Sequence, residues 1–232
     1  MRDPDGNWYG FSSRARVIVY NKAHGEARQT SPTYESLADP KNKGKICTRS
    51  GSHPYNLSLI GCADRAQRRS EDRGMGEGVV ANMARTPRGG DTDQIKGVAA
   101  GECAIALSNT YYYVRLLRST KPEESEIGAK TGVVWPDQAS YGTHVNISGA
   151  GVLKNAPHRE NAIKFLEYLA SDAAQALLRQ RQQRVAGGAR ARWRRIPSSN
   201  RSARSRPIRC RSPRWARTRP RRRSSLDRAG WK

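Results

Sequence analysis

The chain has 232 residues and a formal net charge of +23. Eighteen arginines and no lysine, aspartate or glutamate lie between Arg179 and Arg223, which leaves the rest of the chain with a net charge of only +5. Because the basic charge is confined to this tail, the body of the protein does not have the composition of a nucleic-acid-binding domain. No apolar run approaches the roughly 18–20 residues of a membrane helix, so we expect no membrane span.

Short apolar segments alternate with helical patterns along most of the chain. Strands are predicted at residues 8–20, 45–49 and 103–107, with an extended small-residue segment at 142–152. Helices are predicted at about 33–40, from Tyr55, at 78–85, at 94–100, from Tyr111, and at 159–178, the last with the clearest amphipathic pattern. This alternation predicts an α/β fold, in which ligands bind where strands end and helices begin.

Two of the predicted strand-to-helix junctions carry tyrosines, HPY at residues 53–55 and NTYYY at residues 109–113. The partial positive charge of a helix N-terminus predicts a phenol pKa below its ordinary value of about 10. Neighbouring helical residues point roughly 100° apart, so two of the three consecutive rings can face one cleft while the third turns to the core. Several phenolate oxygens would suit ferric iron better than zinc or copper. The alternative is that these tyrosines are packing residues whose hydroxyls reach water.

Four long, collinear segments resemble the periplasmic ferric-iron-binding proteins, the solute-binding components of iron(III) ABC importers. They are RDPDGNWYGFSSRARVIVYNK, TYESLADPKNKGKICTRSGSHPYNLSLI, GGDTDQIKGVAAGECAIALSNTYYYVRLL and GTHVNISGAGVLKNAPHRENAIKFLEYLASDAAQ, and together they cover most of residues 2–177. The resemblance implies a type II periplasmic-binding-protein fold, in which iron lies in a cleft between two α/β lobes. It also implies a binding protein rather than an enzyme.

The same resemblance implies a set of site residues. Tyr111 and Tyr112 match the adjacent pair of iron ligands, Tyr55 matches a third ligand, and Tyr113 is then the ring that packs. Arg14, in SSRARV, matches a position that contacts a synergistic anion such as carbonate. The implied cargo is Fe(3+) and the implied partner is an inner-membrane ABC permease, and we expect a monomer that binds no specific nucleic acid.

Compared with that family, the chain is expected to be truncated at its N-terminus. Its opening, MRDPDGNWYG, lacks the basic start and apolar core of a signal peptide, so the chain as written is expected to be cytoplasmic although the family is periplasmic. The expected parts are hinge strands (1–20), the C-terminal ligand-binding lobe (21–141), a strand and helix returning toward the missing N-terminal lobe (142–177), a disordered Arg-rich tail (178–225) and a family-like C-terminus (226–232).

Similarity to the family is lost at residues 62–77 and again at about 178–225. Met75 can only be encoded by ATG and Gly76 must begin with GG, so reading one base later gives a tryptophan codon. With plausible neighbouring codons, residues 73–77 then become Glu-Ala-Trp-Ala-Lys, as in the family, and the same shift restores similarity after Leu178. We therefore predict that both segments are translated out of frame, and that the first change removes a helix from the lobe.

Two other functions stay open from the sequence. The arginine-rich tail would attract nucleic-acid phosphates with a steep salt dependence, and Trp193 and Trp215 could stack on bases. Alternatively, the chain is a solute-binding protein for another metal, a phosphonate or a polyamine. Its four histidines lie outside nucleophile and metal motifs, and His144 is predicted to be structural. Cys47 and Cys103 are predicted to be buried thiols, with a disulfide between them as the open alternative.

Overall fold

The computed structural model describes residues 7–24, 32–66, 75–182, 185–186 and 230–231. The chain forms two compact units. The large unit comprises Ala15–His144 with Ser205–Lys232, and the small unit comprises Met1–Arg14 with Val145–Arg204. Within the described ranges, no helix has both the length and the apolar character needed to cross a membrane.

Strands and helices alternate as the sequence predicts, although the helix at Pro122–Lys130 and the strand at Thr131–Val134 were not predicted. The strands are β1 (Tyr9–Asn21), β2 (Ile46–Cys47), β3 (Ile105–Asn109), β4 (Thr131–Val134), β5 (Val145–Ala150) and β6 (Val185–Ala186). The α-helices are α1 (Pro54–Ala66), α2 (Met75–Ala81), α3 (Asp91–Ala99), α4 (Thr110–Leu117), α5 (Pro122–Lys130), α6 (Arg159–Ala170) and α7 (Asp172–Gln182). The helix predicted near residues 33–40 is instead a pair of 3₁₀ helices, Glu35–Ala38 and Pro40–Asn42.

In the large unit, the strands lie in the order β2-β3-β1-β4. Strands β2 and β3 are parallel, whereas β1 runs antiparallel to both β3 and β4. Three consecutive residues of β1, Val17 to Val19, are fully buried, because this strand has a partner on each side and is covered on both faces. The α/β prediction is therefore confirmed.

The hydrophobic core of the large unit joins side chains from the sheet to those of α1 and α2. Trp231 completes this core, since its side chain is fully buried and its indole N–H donates to the carbonyl of Arg49 at 3.0 Å. Gly51 makes this contact possible, because a Cβ atom at that position would lie only 2.4 Å from the carbonyl oxygen of Trp231. Trp231 thus supports the loop that leads into α1.

The segment at residues 62–77 contributes to this core, contrary to expectation. Helix α1 continues to Ala66 and α2 begins at Met75, and the side chains of Cys62, Ala63 and Met75 are buried. The expectation of a lost helix is therefore wrong for residues 62–66 and 75–77, which are helical, and the buried side chains of Cys62, Ala63 and Met75 show that this segment packs inward. Residues 67–74 lie outside the described residues, and the out-of-frame origin of the segment stays a prediction.

In the small unit, β5 and β6 both pair with the first part of β1. The single helix predicted at residues 159–178 is two helices, because the backbone of Ser171 is extended (ψ 155°) and ends α6. The Ser171 hydroxyl then accepts a hydrogen bond from the Ala174 N–H at 3.3 Å, as serine does when it caps a helix start. Residues 178–182 belong to α7 and residues 185–186 form β6, and most of the remaining arginine-rich tail lies outside the described residues, so its expected disorder stays a prediction.

A disulfide joins Cys47, at the end of β2, to Cys103, just before β3. The prediction of two buried thiols is therefore wrong. Parallel pairing of Ile46 with Ile105 brings the two cysteines close, with Cα atoms 5.8 Å apart, which suits a disulfide. Glu102 lies beside the two sulfur atoms, but sulfurs joined to each other offer no thiolate to a metal.

Replacing Trp231 with alanine should lower the free energy of unfolding of the large unit by about 3–5 kcal/mol, because it empties a fully buried site. Urea denaturation followed by far-UV circular dichroism measures the change. Trp8, which is 39% exposed and belongs to the small unit, offers a matched control. Equal stabilities of the Trp231→Ala and Trp8→Ala variants would contradict the assigned role of Trp231.

Asp137 is a buried carboxylate with an unusual backbone conformation, φ +59°. Its two oxygens accept hydrogen bonds from the Tyr34 N–H at 3.2 Å and the Ser140 hydroxyl at 3.1 Å. Burial, followed by the negative charge of Glu35, raises the pKa of Asp137 from 3.8 to about 6. The folded state therefore favours the protonated carboxyl, and ionisation of Asp137 destabilises the fold as the pH rises from about 4 through 6.

Asp137→Asn should raise the free energy of unfolding at pH 8 by about 1 kcal/mol, because asparagine carries no charge and tolerates positive φ. Solvent screening keeps this gain below the full electrostatic value. The gain should shrink toward zero at pH 4, where the native carboxyl is itself protonated. Paired urea titrations of both proteins at pH 4 and pH 8 test this, and a gain that is the same at both pH values would contradict the assignment.

Candidate functional site

Three tyrosines meet at the two helix starts that the sequence singled out. Tyr55 lies in the first turn of α1, and Tyr111 and Tyr112 lie in the first turn of α4. The hydroxyl oxygens of Tyr55 and Tyr111 are 3.4 Å apart, although 56 residues separate them in the chain. The rings of Tyr111 and Tyr112 stack with their centroids 4.0 Å apart. All three residues are half-buried, and Tyr111 hydrogen-bonds with both Tyr112 and Tyr55, so the three phenols form one cluster.

The pKa of Tyr111 is shifted upward, opposite to the sequence-based prediction. Burial has the largest effect, and hydrogen bonds with Tyr112 and Tyr55 raise the pKa further. The prediction considered only the partial positive charge of the helix N-terminus, which lowers a phenol pKa. It did not consider burial of the Tyr111 ring or its hydrogen bonds with neighbouring phenols, which raise it. Tyr111 is therefore a neutral phenol at physiological pH until something replaces its proton.

Tyr113 occupies the packing position that was predicted for it. Its side chain is buried, and its hydroxyl donates to the carbonyl of Thr131 at 3.1 Å. Of the three consecutive tyrosines of α4, Tyr111 and Tyr112 therefore belong to the cluster and Tyr113 packs in the core.

Guanidinium groups surround the tyrosine rings. The Cζ atoms of Arg16 and Arg49 lie 5.7 and 5.4 Å from the centroid of the Tyr55 ring, and that of Arg115 lies 5.6 Å from the Tyr112 ring. At these distances a cation interacts favourably with an aromatic face. The same groups would attract negative charge that forms on the phenol oxygens.

A buried polar network, which the sequence reasoning missed, lies behind the tyrosines. Arg16 and Asp91 are both fully buried and form an ion pair at 2.5 Å. Arg49 approaches the other oxygen of Asp91 at 3.3 Å. The signal was present in the sequence, because Arg16 is a charged residue placed directly before the apolar run VIVY. Such a residue inside a buried strand needs partners.

The two histidines near the cluster have different surroundings. His53 contacts Tyr55 edge-on, with ring centroids 4.4 Å apart. His144 is buried, and its Nε2 lies 3.1 Å from the Ser58 hydroxyl. Burial, followed by the charge of Arg16, lowers the pKa of His144 to about 3. His144 is therefore neutral at physiological pH, and its structural role stays a prediction.

Arg14, the predicted anion contact, belongs to the small unit, whereas the three tyrosines belong to the large unit. Within the small unit its guanidinium donates to the hydroxyl of Ser148. Its anion-binding role stays a prediction.

The sequence profile of a protein family described as "Bacterial extracellular solute-binding protein" matches residues 1–201. The chain belongs to this family. Members of such a family bind and carry solutes, so the chain is not expected to catalyse a reaction, in agreement with the prediction of a non-enzymatic protein.

Among curated proteins, "Iron uptake protein A1" of Synechocystis sp. is 49% identical over 180 residues, which cover 78% of this chain and 50% of that protein. "Iron uptake protein A2" of the same organism is 50% identical over 177 residues, which cover 75% of this chain and 51% of that protein. The chain therefore spans about half the length of the curated relatives it matches.

Solved structures show the same fold. The Trichodesmium IdiA (FutA) protein in complex with iron and citrate ligands matches with a TM-score of 0.88 and 43% identity, and the match covers 100% of this chain and 72% of that one. The ferric binding protein from Campylobacter jejuni matches with a TM-score of 0.90 and 30% identity over 100% of this chain and 72% of that one. The predicted periplasmic-binding-protein fold is thereby confirmed.

Proposed function

We propose that this chain binds ferric iron through the phenol oxygens of Tyr55, Tyr111 and Tyr112, and delivers it to the permease of an ABC importer. The observation that carries the proposal is the convergence of these tyrosines at two helix starts, with two hydroxyl oxygens 3.4 Å apart. Iron-uptake relatives at about 50% identity support the choice of metal.

The chemistry of the cluster favours a hard, highly charged cation. Phenolate oxygen is a hard anionic donor, whereas zinc and copper prefer nitrogen and sulfur ligands. Because Tyr111 is neutral without metal, the ion must displace its proton, and a trivalent cation does this most effectively. The role of this chain's residues is to hold the three oxygens together and to release their protons when iron binds.

Tyrosines alone do not fill the coordination of an iron ion, and an anion is the simplest additional ligand. By its resemblance to the family position, Arg14 is proposed to contact that anion, such as carbonate. The protein is proposed to correspond to the C-terminal lobe with hinge strands, and to work in the periplasm as a monomer. The Cys47–Cys103 disulfide supports an oxidising compartment.

A polyamine or another simple cation fits the described site less well. Three guanidinium groups lie within 6 Å of the tyrosine rings and would repel a cation that displaces no protons. Asp91, the carboxylate behind the cluster, is already paired with two arginines. Nucleic-acid binding through the arginine-rich tail depends on residues that are mostly outside the described ranges.

Titration of the purified protein with ferric citrate should produce a visible absorbance band from phenolate-to-iron charge transfer, saturating at one equivalent. The Tyr111→Phe/Tyr112→Phe variant should lose the band, because it removes two of the three oxygens. Tyr113→Phe is the matched control on the same helix, and it should keep the band because the Tyr113 hydroxyl bonds to Thr131 instead. A folded wild-type protein without the band, or a double variant that keeps it, would overturn the proposed function.

A further inference from the structure

Arg16 contacts both of the segments that carry the metal-binding tyrosines. Its Nη2 donates to the Asn56 side-chain oxygen at 2.9 Å, and its Nη1 donates to the Asn109 side-chain oxygen at 3.3 Å. Asn56 directly follows Tyr55, and Asn109 is the residue from which α4 begins, two positions before Tyr111. One guanidinium therefore bridges the starts of α1 and α4.

Asp91 reinforces the same bridge from the start of α3. One of its oxygens, Oδ2, accepts hydrogen bonds from Arg16 Nη1 at 2.5 Å and from the backbone N–H of Asn109 at 2.8 Å. The carboxylate thus fixes the guanidinium and the beginning of α4 at once. Arg16, Asp91, Asn56 and Asn109 are all fully buried, so these contacts do not compete with water.

The side chain of Asn109 does not cap α4, although asparagine at this position usually does. Asparagine before a helix normally accepts a hydrogen bond from a backbone N–H of the first turn. In the described structure, the Asn109 side chain makes no such capping bond, and its oxygen faces Arg16 instead. The start of α4 is therefore fixed by the strand behind it rather than by its own cap.

Arg16 is itself held by its neighbours. Its backbone N–H donates to the carbonyl of His144 at 2.9 Å, and its carbonyl accepts from the Tyr34 hydroxyl at 2.5 Å. It lies opposite Asn109 in the antiparallel pairing of β1 with β3, so the two side chains share one face of the sheet. Because the Arg16 backbone is fixed on β1, its guanidinium can fix the positions of Asn56 and Asn109.

We propose that Arg16, held by Asp91, is a positioning residue that sets the separation of the Tyr55 and Tyr111 hydroxyls through Asn56 and Asn109. This inference rests on the proposed function of the same tyrosines. It explains why arginine occupies a buried strand position: its planar fork reaches two acceptors in fixed directions, whereas lysine offers a single nitrogen on a flexible stem. Residues that orient metal ligands in this way typically change metal affinity by about 10- to 100-fold when they are altered.

Arg16→Lys tests the positioning role because lysine keeps the positive charge but lacks the two Nη atoms that contact Asn56 and Asn109. The ferric-citrate titration of this variant should show an affinity lower by about 10- to 100-fold and a shifted charge-transfer maximum. Asn109→Ser is a second variant for the case in which Arg16→Lys does not fold. Serine is a favoured residue before a helix but is too short to reach Arg16. α4 should therefore form and keep the hydrogen bond from its residue 109 backbone N–H to Asp91, while the side-chain contact with Arg16 is lost.

Asn82→Ala is the control for general destabilisation. Asn82 is also a buried asparagine that joins two segments, since its side chain donates to the carbonyls of Leu37 and Asp39, both at 2.8 Å. This variant should lose stability but keep the wild-type iron affinity and absorbance maximum. Wild-type affinity and maximum in a folded Arg16→Lys or Asn109→Ser variant would overturn the positioning role. An equal loss of affinity in Asn82→Ala would overturn it as well.

Hydrogen exchange without iron separates this inference from the proposed function. Amides at residues 111–113 should exchange faster in Arg16→Lys and Asn109→Ser than in Asn82→Ala, because both variants lose the contact between Arg16 and residue 109. Amides at residues 55–57 should exchange faster in Arg16→Lys, which also loses the fixed contact with Asn56. A wild-type protein that shows no iron band would defeat the proposed function, and the exchange data would still report whether Arg16 holds the tyrosines. Unchanged exchange at these amides, with iron bound normally, would defeat the positioning role alone.

Discussion

A charge pair in the interior, Arg16 with Asp91, is the interaction on which the tyrosine cluster depends. Burying two ions costs several kcal/mol each, and their attraction offsets this only when hydrogen bonds satisfy the remaining atoms. Here Asn56, Asn109 and Arg49 supply such bonds to most of the remaining atoms, although the buried Arg16 Nε has no hydrogen-bond partner among the described residues. Such a network contributes little net stability compared with an apolar core, but it has one favourable arrangement. It therefore defines where the surrounding helix starts must lie.

The parallel pairing of β2 with β3 explains how distant tyrosines come together. Parallel neighbours end at the same edge of a sheet, so the helices that follow them begin side by side. Tyr55 follows β2 and Tyr111 follows β3, and their hydroxyls meet although each belongs to a different strand–helix unit. The disulfide between Cys47 and Cys103 links the end of β2 to the segment before β3, so it strengthens the same pairing.

Sequence reasoning was most successful where a local pattern determines the outcome. The apolar run of β1 and the junctions at Tyr55 and Tyr111 follow from periodicity and cap residues. The inward turn of Tyr113 in particular was implied by the family resemblance, since helix geometry alone does not say which of the three rings packs. Sequence reasoning failed for properties that depend on residues far away in the chain. The pKa of Tyr111 depends on burial beside Tyr55, and the cysteine pairing depends on strand register, neither of which a local pattern contains. The helix break at Ser171 is a different case, since Ser-Asp is a recognisable helix start that the long amphipathic pattern concealed.

The charge balance of the proposed site favours iron over other cations. Three neutral phenols carry no charge, and three phenolates around a trivalent ion also sum to zero, so the exchange of three protons for Fe(3+) leaves the local charge unchanged. The arginines near the rings therefore oppose neither state. A cation that binds without displacing protons would add charge beside those guanidiniums and be repelled. Burial raises the pKa of Tyr111, so the proposed iron must compete with a tightly held proton, and an ion that attracts phenolate oxygen only weakly would not displace it.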